Sequence, residues 1–146
     1  MLVSMKGDYG VRALIELAHR YGEGPVQSAT IASRQQIPEP YLDQLLTSLR
    51  RAGFIRSVRG PQGGHALLVD PYEIRLSGAV LALEGSLAPI NCLEDPLGCP
   101  KSANCCLRGV WERVHSAILN VLDNVTIGEL AEREREQATT SARYYI

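Results

Sequence analysis

Six consecutive residues, Arg59-Gly-Pro-Gln-Gly-Gly64, constrain this chain more than any others. Three glycines permit positive φ and the proline fixes its own, so the segment is a turn. It is flanked by Phe54-Ile-Arg-Ser-Val58 and His65-Ala-Leu-Leu-Val69, both short runs of strand composition. The reading is a β-hairpin over residues 54–69.

The residues before the hairpin read as helices. Val11, Leu14, Ile15, Leu17, Ala18 and Tyr21 recur at helical spacing, and Gly22-Glu-Gly-Pro25 stops that helix. Ser28 is placed to cap a short helix over Ala29–Gln36, with Ile31 and Ala32 facing inward. Ile37-Pro38 forces a turn, because the residue before proline avoids helical geometry. Pro40 suits the first turn of a further helix that runs to about Ala52, buries Leu42, Leu45, Leu46 and Leu49, and ends at Gly53. Two helices joined by a tight turn form a helix-turn-helix. A hairpin directly after it makes a winged helix. The expected fold is mainly α with one small β-hairpin, the DNA-binding domain occupying residues 1–85.

Beyond the hairpin, Ser77 is placed to cap a helix through Glu84, closed by Gly85. Residues 86–106 form a loop with Pro89, Pro96, Gly98 and Pro100. Leu107, Val110, Trp111, Val114, Ala117, Ile118, Val121 and Leu122 then make a continuous helical stripe. Thr126 opens a last short helix, with Glu129 completing a capping box, so that 107–133 is a helical unit. Residues 134–146 are polar apart from Tyr144-Tyr-Ile146 and are expected to form a flexible tail.

Composition narrows the function. A chain of 146 residues buries about two thirds of its extended surface, enough for one core. With 45% hydrophobic and 21% charged residues it is not a disordered chain. No apolar run approaches the roughly 20 residues of a membrane span, and Met1–Gly10 has no apolar signal core, so the expected location is cytoplasmic. One Phe and one Trp argue against a stacking platform for single strands. Residues 1–75 hold nine Lys/Arg against seven Asp/Glu, and residues 76–146 hold six against nine. A basic patch on an otherwise acidic chain is the footprint of a local polyanion contact.

The second helix of the pair has a polar face of Glu39, Tyr41, Asp43, Gln44, Thr47 and Ser48 opposite its leucines. A major-groove helix needs such a face: Gln44 suits adenine, and Asp43 suits the amino group of cytosine. Arg50, Arg51, Arg56 and Arg59 are placed to meet phosphates or a minor groove. Ser28 and the wing glycines Gly60, Gly63 and Gly64 complete the candidate DNA-contact set. The same residues also suit an ordinary solvent-facing helical hairpin.

Cys92, Cys99, Cys105 and Cys106 are all the cysteines of the chain, and they fall within fifteen residues. In a reducing compartment such bunching reads first as metal binding or redox chemistry and then as disulfides. Pro96, Gly98 and Pro100 suit a backbone that curves around a cluster of iron and sulfide. The paired CxxC of common zinc sites is absent from the sequence, which makes zinc a lesser alternative. A reactive-cysteine enzyme ranks last: there is no Cys-His pairing or CxxC, and no residue is assigned a catalytic role.

Lys6-Gly-Asp-Tyr-Gly-Val11, Tyr41-Leu-Asp-Gln-Leu45, Leu49-Arg-Arg-Ala-Gly53 and Ser57-Val-Arg-Gly-Pro-Gln-Gly-Gly64 resemble the bacterial iron–sulfur cluster regulator family. That family includes regulators of cluster assembly, of the nitric oxide response and of cysteine metabolism. The likeness runs from residue 1 to about 132. It implies a homodimeric winged-helix transcription factor that binds a pseudo-palindromic double-stranded operator, with 107–122 as its dimerisation helix. It also implies a cluster, [4Fe-4S] or [2Fe-2S], on Cys92, Cys99 and Cys105. The loop departs from the family's usual spacing by one extra residue between Cys92 and Cys99, and Cys106 is also extra. For the fourth ligand the resemblance points to Asp8, which in the nitric-oxide-sensing branch reaches across from the other subunit. Cys106 is the alternative. Arg108 stands where one cluster regulator has a histidine ligand, and His65 where the family often has an aromatic residue.

The leading expectation is a dimeric regulator that senses iron, redox or nitric oxide status through the cluster. The alternative is a cluster-free regulator of cysteine or sulfur metabolism, controlled by a partner protein or metabolite.

Overall fold

The computed structural model describes residues 3–144; Met1, Leu2, Tyr145 and Ile146 lie outside it. The chain forms helices α1 (Met5–His19), α2 (Ser28–Gln35) and α3 (Glu39–Arg51), then strands β1 (Ile55–Val58) and β2 (Gly64–Leu67). Helices α4 (Leu76–Glu84), α5 (Arg108–Asp123) and α6 (Ile127–Tyr144) follow. The strands pair antiparallel, with Ile55 opposite Leu67, Arg56 opposite Ala66, Ser57 opposite His65 and Val58 opposite Gly64. The expected winged helix is therefore present.

One core joins all of these elements except α5. Leu14 and Leu17 of α1, Ile31 of α2, Leu42, Leu45 and Leu49 of α3 and Ile55 of β1 are buried together. Leu83 of α4 and Ile127 and Ala131 of α6 complete the cluster. Helix α1 is the hub, because it packs against α2, α3, α4 and α6. Its close approach to α4 depends on Gly7 and Gly10. A Cβ on Gly10 would lie 2.4 Å from Leu83 Cδ1, and one on Gly7 would lie 2.4 Å from Glu84 Oε1.

Several helix starts differ from the sequence reading. Helix α1 begins at Met5 rather than near residue 9, because Glu84 caps it from a distance. Ser28 is the first residue of α2, after Gln27 at the cap position, and its hydroxyl caps nothing there. Ser77 likewise sits inside α4, whose cap position is Arg75. Its hydroxyl bonds to Asp123 at the end of α5. Local cap chemistry lost to tertiary partners in both cases. The capping box at α6 is present: Thr126 N–H donates to Glu129 Oε2 at 2.8 Å, and Glu129 N–H donates to Thr126 Oγ1 at 3.2 Å.

The expected flexible tail is a correction. Residues 134–144 continue α6 as helix. Glu134 turns back to α1 and α2: its Oε2 lies 2.6 Å from His19 Nε2, and Gln35 Nε2 donates to it at 3.3 Å. Gln35 also donates to Glu16 Oε2 at 3.2 Å, a carboxylate only 2% exposed. These long-range polar contacts anchor a segment whose composition alone reads as solvated. Among the described residues no helix is long and apolar enough to cross a membrane.

Candidate nucleic-acid interface and cysteine loop

Helix α3 has two faces. Leu42, Leu45, Leu46 and Leu49 are buried, whereas Glu39, Tyr41, Asp43, Gln44, Arg50 and Arg51 are exposed and Thr47 and Ser48 are half-buried. The two hydroxyls donate back along the helix, Thr47 Oγ1 to the Asp43 carbonyl at 2.8 Å and Ser48 Oγ to the Gln44 carbonyl at 3.2 Å. Their oxygens remain acceptors toward an outside donor. Tyr41 leans on α1: its ring centroid lies 6.5 Å from that of Tyr9, which Arg12 covers at 5.6 Å.

Arg56 and Arg59 are exposed on the wing. Of the three wing glycines named as contacts, Gly60 is exposed and has φ +107, which only glycine adopts freely. Gly63 is buried, and a Cβ there would lie 2.1 Å from the Val58 carbonyl oxygen. At Gly64 a Cβ would lie 2.4 Å from the Val26 carbonyl oxygen. Gly63 and Gly64 thus close the wing and seat it on the chain before α2. Ser28 is half-buried and its Oγ lies 3.0 Å from His65 Nε2, so the wing already engages it. His65 Nδ1 lies 2.9 Å from Ser57 Oγ. Burial lowers the His65 pKa below the ordinary value; Asp43 opposes the shift and Arg50 adds to it.

The cysteine loop joins α4 to α5 through three single helical turns, Asn91–Leu93, Pro96–Gly98 and Ser102–Asn104. Cys92 lies within the first, Cys99 directly follows the second and Cys105 directly follows the third. All four thiols are free; Cys92, Cys99 and Cys105 are half-buried and Cys106 is exposed. Arg108 braces the loop. Its Nη1 donates to the Cys92 carbonyl at 3.3 Å and to Ser102 Oγ at 2.5 Å, and its Nε donates to Glu112 Oε1 at 3.0 Å.

The loop brings only part of the proposed ligand set together. Cys92 and Cys99 line one hollow of about 390 Å³ with Asp95. Among the described residues no three His, Cys, Asp or Glu side chains gather as a metal site. Asp8 is on α1, where its carboxylate pairs with Arg12 Nη2 at 2.8 Å. The donor chemistry fits an iron–sulfur cluster, because soft thiols stand on successive turns of a short curved loop. Cys105, Cys106 and Asp8 do not line the hollow that Cys92 and Cys99 share.

Sequence reasoning missed the role of Arg108 and the partners of His65. The Ser57–His65 pairing was readable from the hairpin register, but the contact with Ser28 spans 37 residues and had no local signal.

The winged helix and its cysteine loop can be compared with known proteins. A family profile, Rrf2, described as an iron-dependent transcriptional regulator, matches residues 3–133. The chain belongs to the Rrf2 family. The HTH-type transcriptional regulator CymR of Bacillus subtilis (strain 168) is 39% identical over 131 residues, 90% of each chain. The HTH-type transcriptional regulator IscR of Aliivibrio salmonicida (strain LFI1238) is 38% identical over 130 residues, 89% of this chain and 77% of that one. The structure of CymR (YrzC), the global cysteine regulator of B. subtilis, superposes with a TM-score of 0.75 at 37% identity. That match covers 91% of this chain and 98% of CymR. T. potens IscR superposes at 0.74 with 40% identity, covering 94% and 91%. This Rrf2 protein is therefore a DNA-binding transcriptional regulator, and its relatives are regulators rather than enzymes.

Proposed function

We propose that this Rrf2 protein is a cytoplasmic homodimer that binds a pseudo-palindromic DNA operator and senses iron, redox or nitric oxide status through an iron–sulfur cluster. The observation that carries the reading is the placement of four free thiols on the single loop between α4 and α5. Cys92, Cys99 and Cys105 would hold the cluster, with Asp8 or Cys106 as the fourth ligand. A bound cluster supplies a group that iron scarcity, oxidants and nitric oxide can each remove or alter. Arg108 holds the Cys92 backbone against the third turn of the loop and keeps its ends together.

Dimerisation is supported by α5. None of its residues is buried within the chain, and Leu107, Val110, Val114 and Val121 are 53%, 49%, 37% and 64% exposed. So continuous an apolar face needs a cover, and a second copy provides one by symmetry. The apposed copy sets the spacing of two α3 helices on DNA.

The likeness to CymR, a cysteine regulator, supports a second reading in which the loop binds no cluster and a partner protein or metabolite controls DNA binding. Anaerobic purification followed by iron and acid-labile sulfide analysis separates the two. The cluster reading expects both elements and visible absorption in the wild type, with loss in Cys92→Ala, Cys99→Ala and Cys105→Ala. Colourless wild-type protein free of iron overturns it. Loss in Asp8→Ala but not in Cys106→Ala assigns the fourth ligand to Asp8, and the converse assigns it to Cys106.

A further inference from the structure

Three consecutive residues tie the wing to the start of α2. Val26 and His65 exchange backbone hydrogen bonds, each N–H donating to the other's carbonyl at 2.8 Å. Gln27 Nε2 donates to the Pro61 carbonyl in the wing turn at 3.4 Å. Ser28 Oγ lies 3.0 Å from His65 Nε2. On the opposite edge of the ring, Nδ1 lies 2.9 Å from Ser57 Oγ on the facing strand.

Both nitrogens of the imidazole are thus engaged at once. A neutral imidazole offers one donor and one acceptor, and a hydroxyl complements either, so the ring is held in place in both tautomers. Strands of four residues make a hairpin that is marginal by itself. Its orientation therefore has to come from outside: Ile55 and Leu67 fix its base in the core, and the His65 strut fixes it farther along, where Gly64 lets the backbones touch.

We propose that His65 is a positioning residue for DNA binding, fixing the Arg59–Gly60 wing turn relative to α2 and α3 so that helix and wing meet the duplex as one rigid unit. The inference rests on reading α3 and the wing as the DNA interface. The charged neighbours of His65 are Asp43 and Arg50 of α3, and Arg20 and Arg56, which line a hollow with it beside the phenol of Tyr21. Burial and Arg50 disfavour the imidazolium, so the group acts through geometry rather than as a cation on a phosphate.

The test is a double-mutant cycle with the full-length protein. A 30-bp duplex is selected from a random pool with the wild type, and affinities are measured for His65→Ala, Arg59→Ala and the double variant. Positioning through the wing expects His65→Ala to bind at least about fivefold more weakly. In the Arg59→Ala background the same change costs less than half of that loss on a logarithmic scale. His65→Gln, which keeps a donor and an acceptor, restores most of the wild-type affinity. His65→Ala within twofold of the wild type overturns the proposal, as does a loss that persists in full beside Arg59→Ala. If Arg59→Ala itself has no effect at any salt concentration, the wing reading falls, and the proposal falls with it. Thermal melting of each variant identifies any loss due to unfolding; in that case Ser57→Ala, which removes a partner of the ring and lies outside the candidate contact set, replaces His65→Ala in the cycle, and affinity within twofold of the wild type overturns the proposal.

Discussion

Glu84, the last residue of α4, caps the first turn of α1 at Ser4: its Oε1 accepts from the Ser4 N–H at 2.9 Å. The same oxygen accepts from the Ser4 hydroxyl at 2.7 Å and from the Gly7 N–H at 3.1 Å. Helix starts leave N–H groups without intrahelical partners, and a carboxylate both satisfies them and suits the positive end of the dipole. The cysteine loop follows α4, so one end of that loop is fastened to α1, the helix around which the core is built.

Glu84→Ala is expected to destabilise the fold by about 1–2 kcal/mol, the usual cost of losing a cap, and Glu84→Gln by less. Urea unfolding of the two variants checks this. Equal stability of Glu84→Ala and the wild type contradicts the capping role.

Gly10→Ala is expected to destabilise despite the better helix propensity of alanine. The new Cβ would lie 2.4 Å from Leu83 Cδ1, and Leu83 is buried in the core. Overpacking of this kind costs about 1–3 kcal/mol, which outweighs a propensity gain of about 1 kcal/mol. A rise in melting temperature contradicts the close α1–α4 packing.

Val114→Asp is expected to dissociate the dimer, because it places an unpaired carboxylate in the middle of the apolar face of α5. Light scattering at micromolar concentration should give a dimer for the wild type and a monomer for the variant. A monomeric wild type rejects the proposed interface.

The lowered pKa of His65 has a stability consequence. The unfolded chain, with a pKa near 6.5, takes up the proton before the folded one does. The contribution is therefore fully present above pH 6.5 and is lost as pH falls from there through the folded value. His65→Gln should flatten the decline of stability over that window. An NMR titration that places the imidazole above 6.5 reverses the sign and contradicts the burial argument.

What was legible in the sequence was local. The leucine face of α3, its end at Gly53, the hairpin turn and the Thr126–Glu129 capping box each need only residues a few positions apart. Ser28 and Ser77 misled because hydroxyls suited to caps had better partners 37 and 46 residues away, in His65 and Asp123. Residues 134–144 read as tail because their anchor, His19, lies 115 residues back. The cysteine bunching was plain in the sequence, but the brace from Arg108 to the Cys92 carbonyl depends on how the loop turns.

The central claim is that the cysteine loop governs DNA binding, and one comparison tests it most directly. Duplex affinity is measured without oxygen for the iron-loaded protein and for the same protein after a chelator removes the iron, with thiols kept reduced. A coupling between sites of about 1–3 kcal/mol predicts a difference of at least fivefold, whichever form binds more tightly. A smaller difference, with loss of iron confirmed by analysis, contradicts the account.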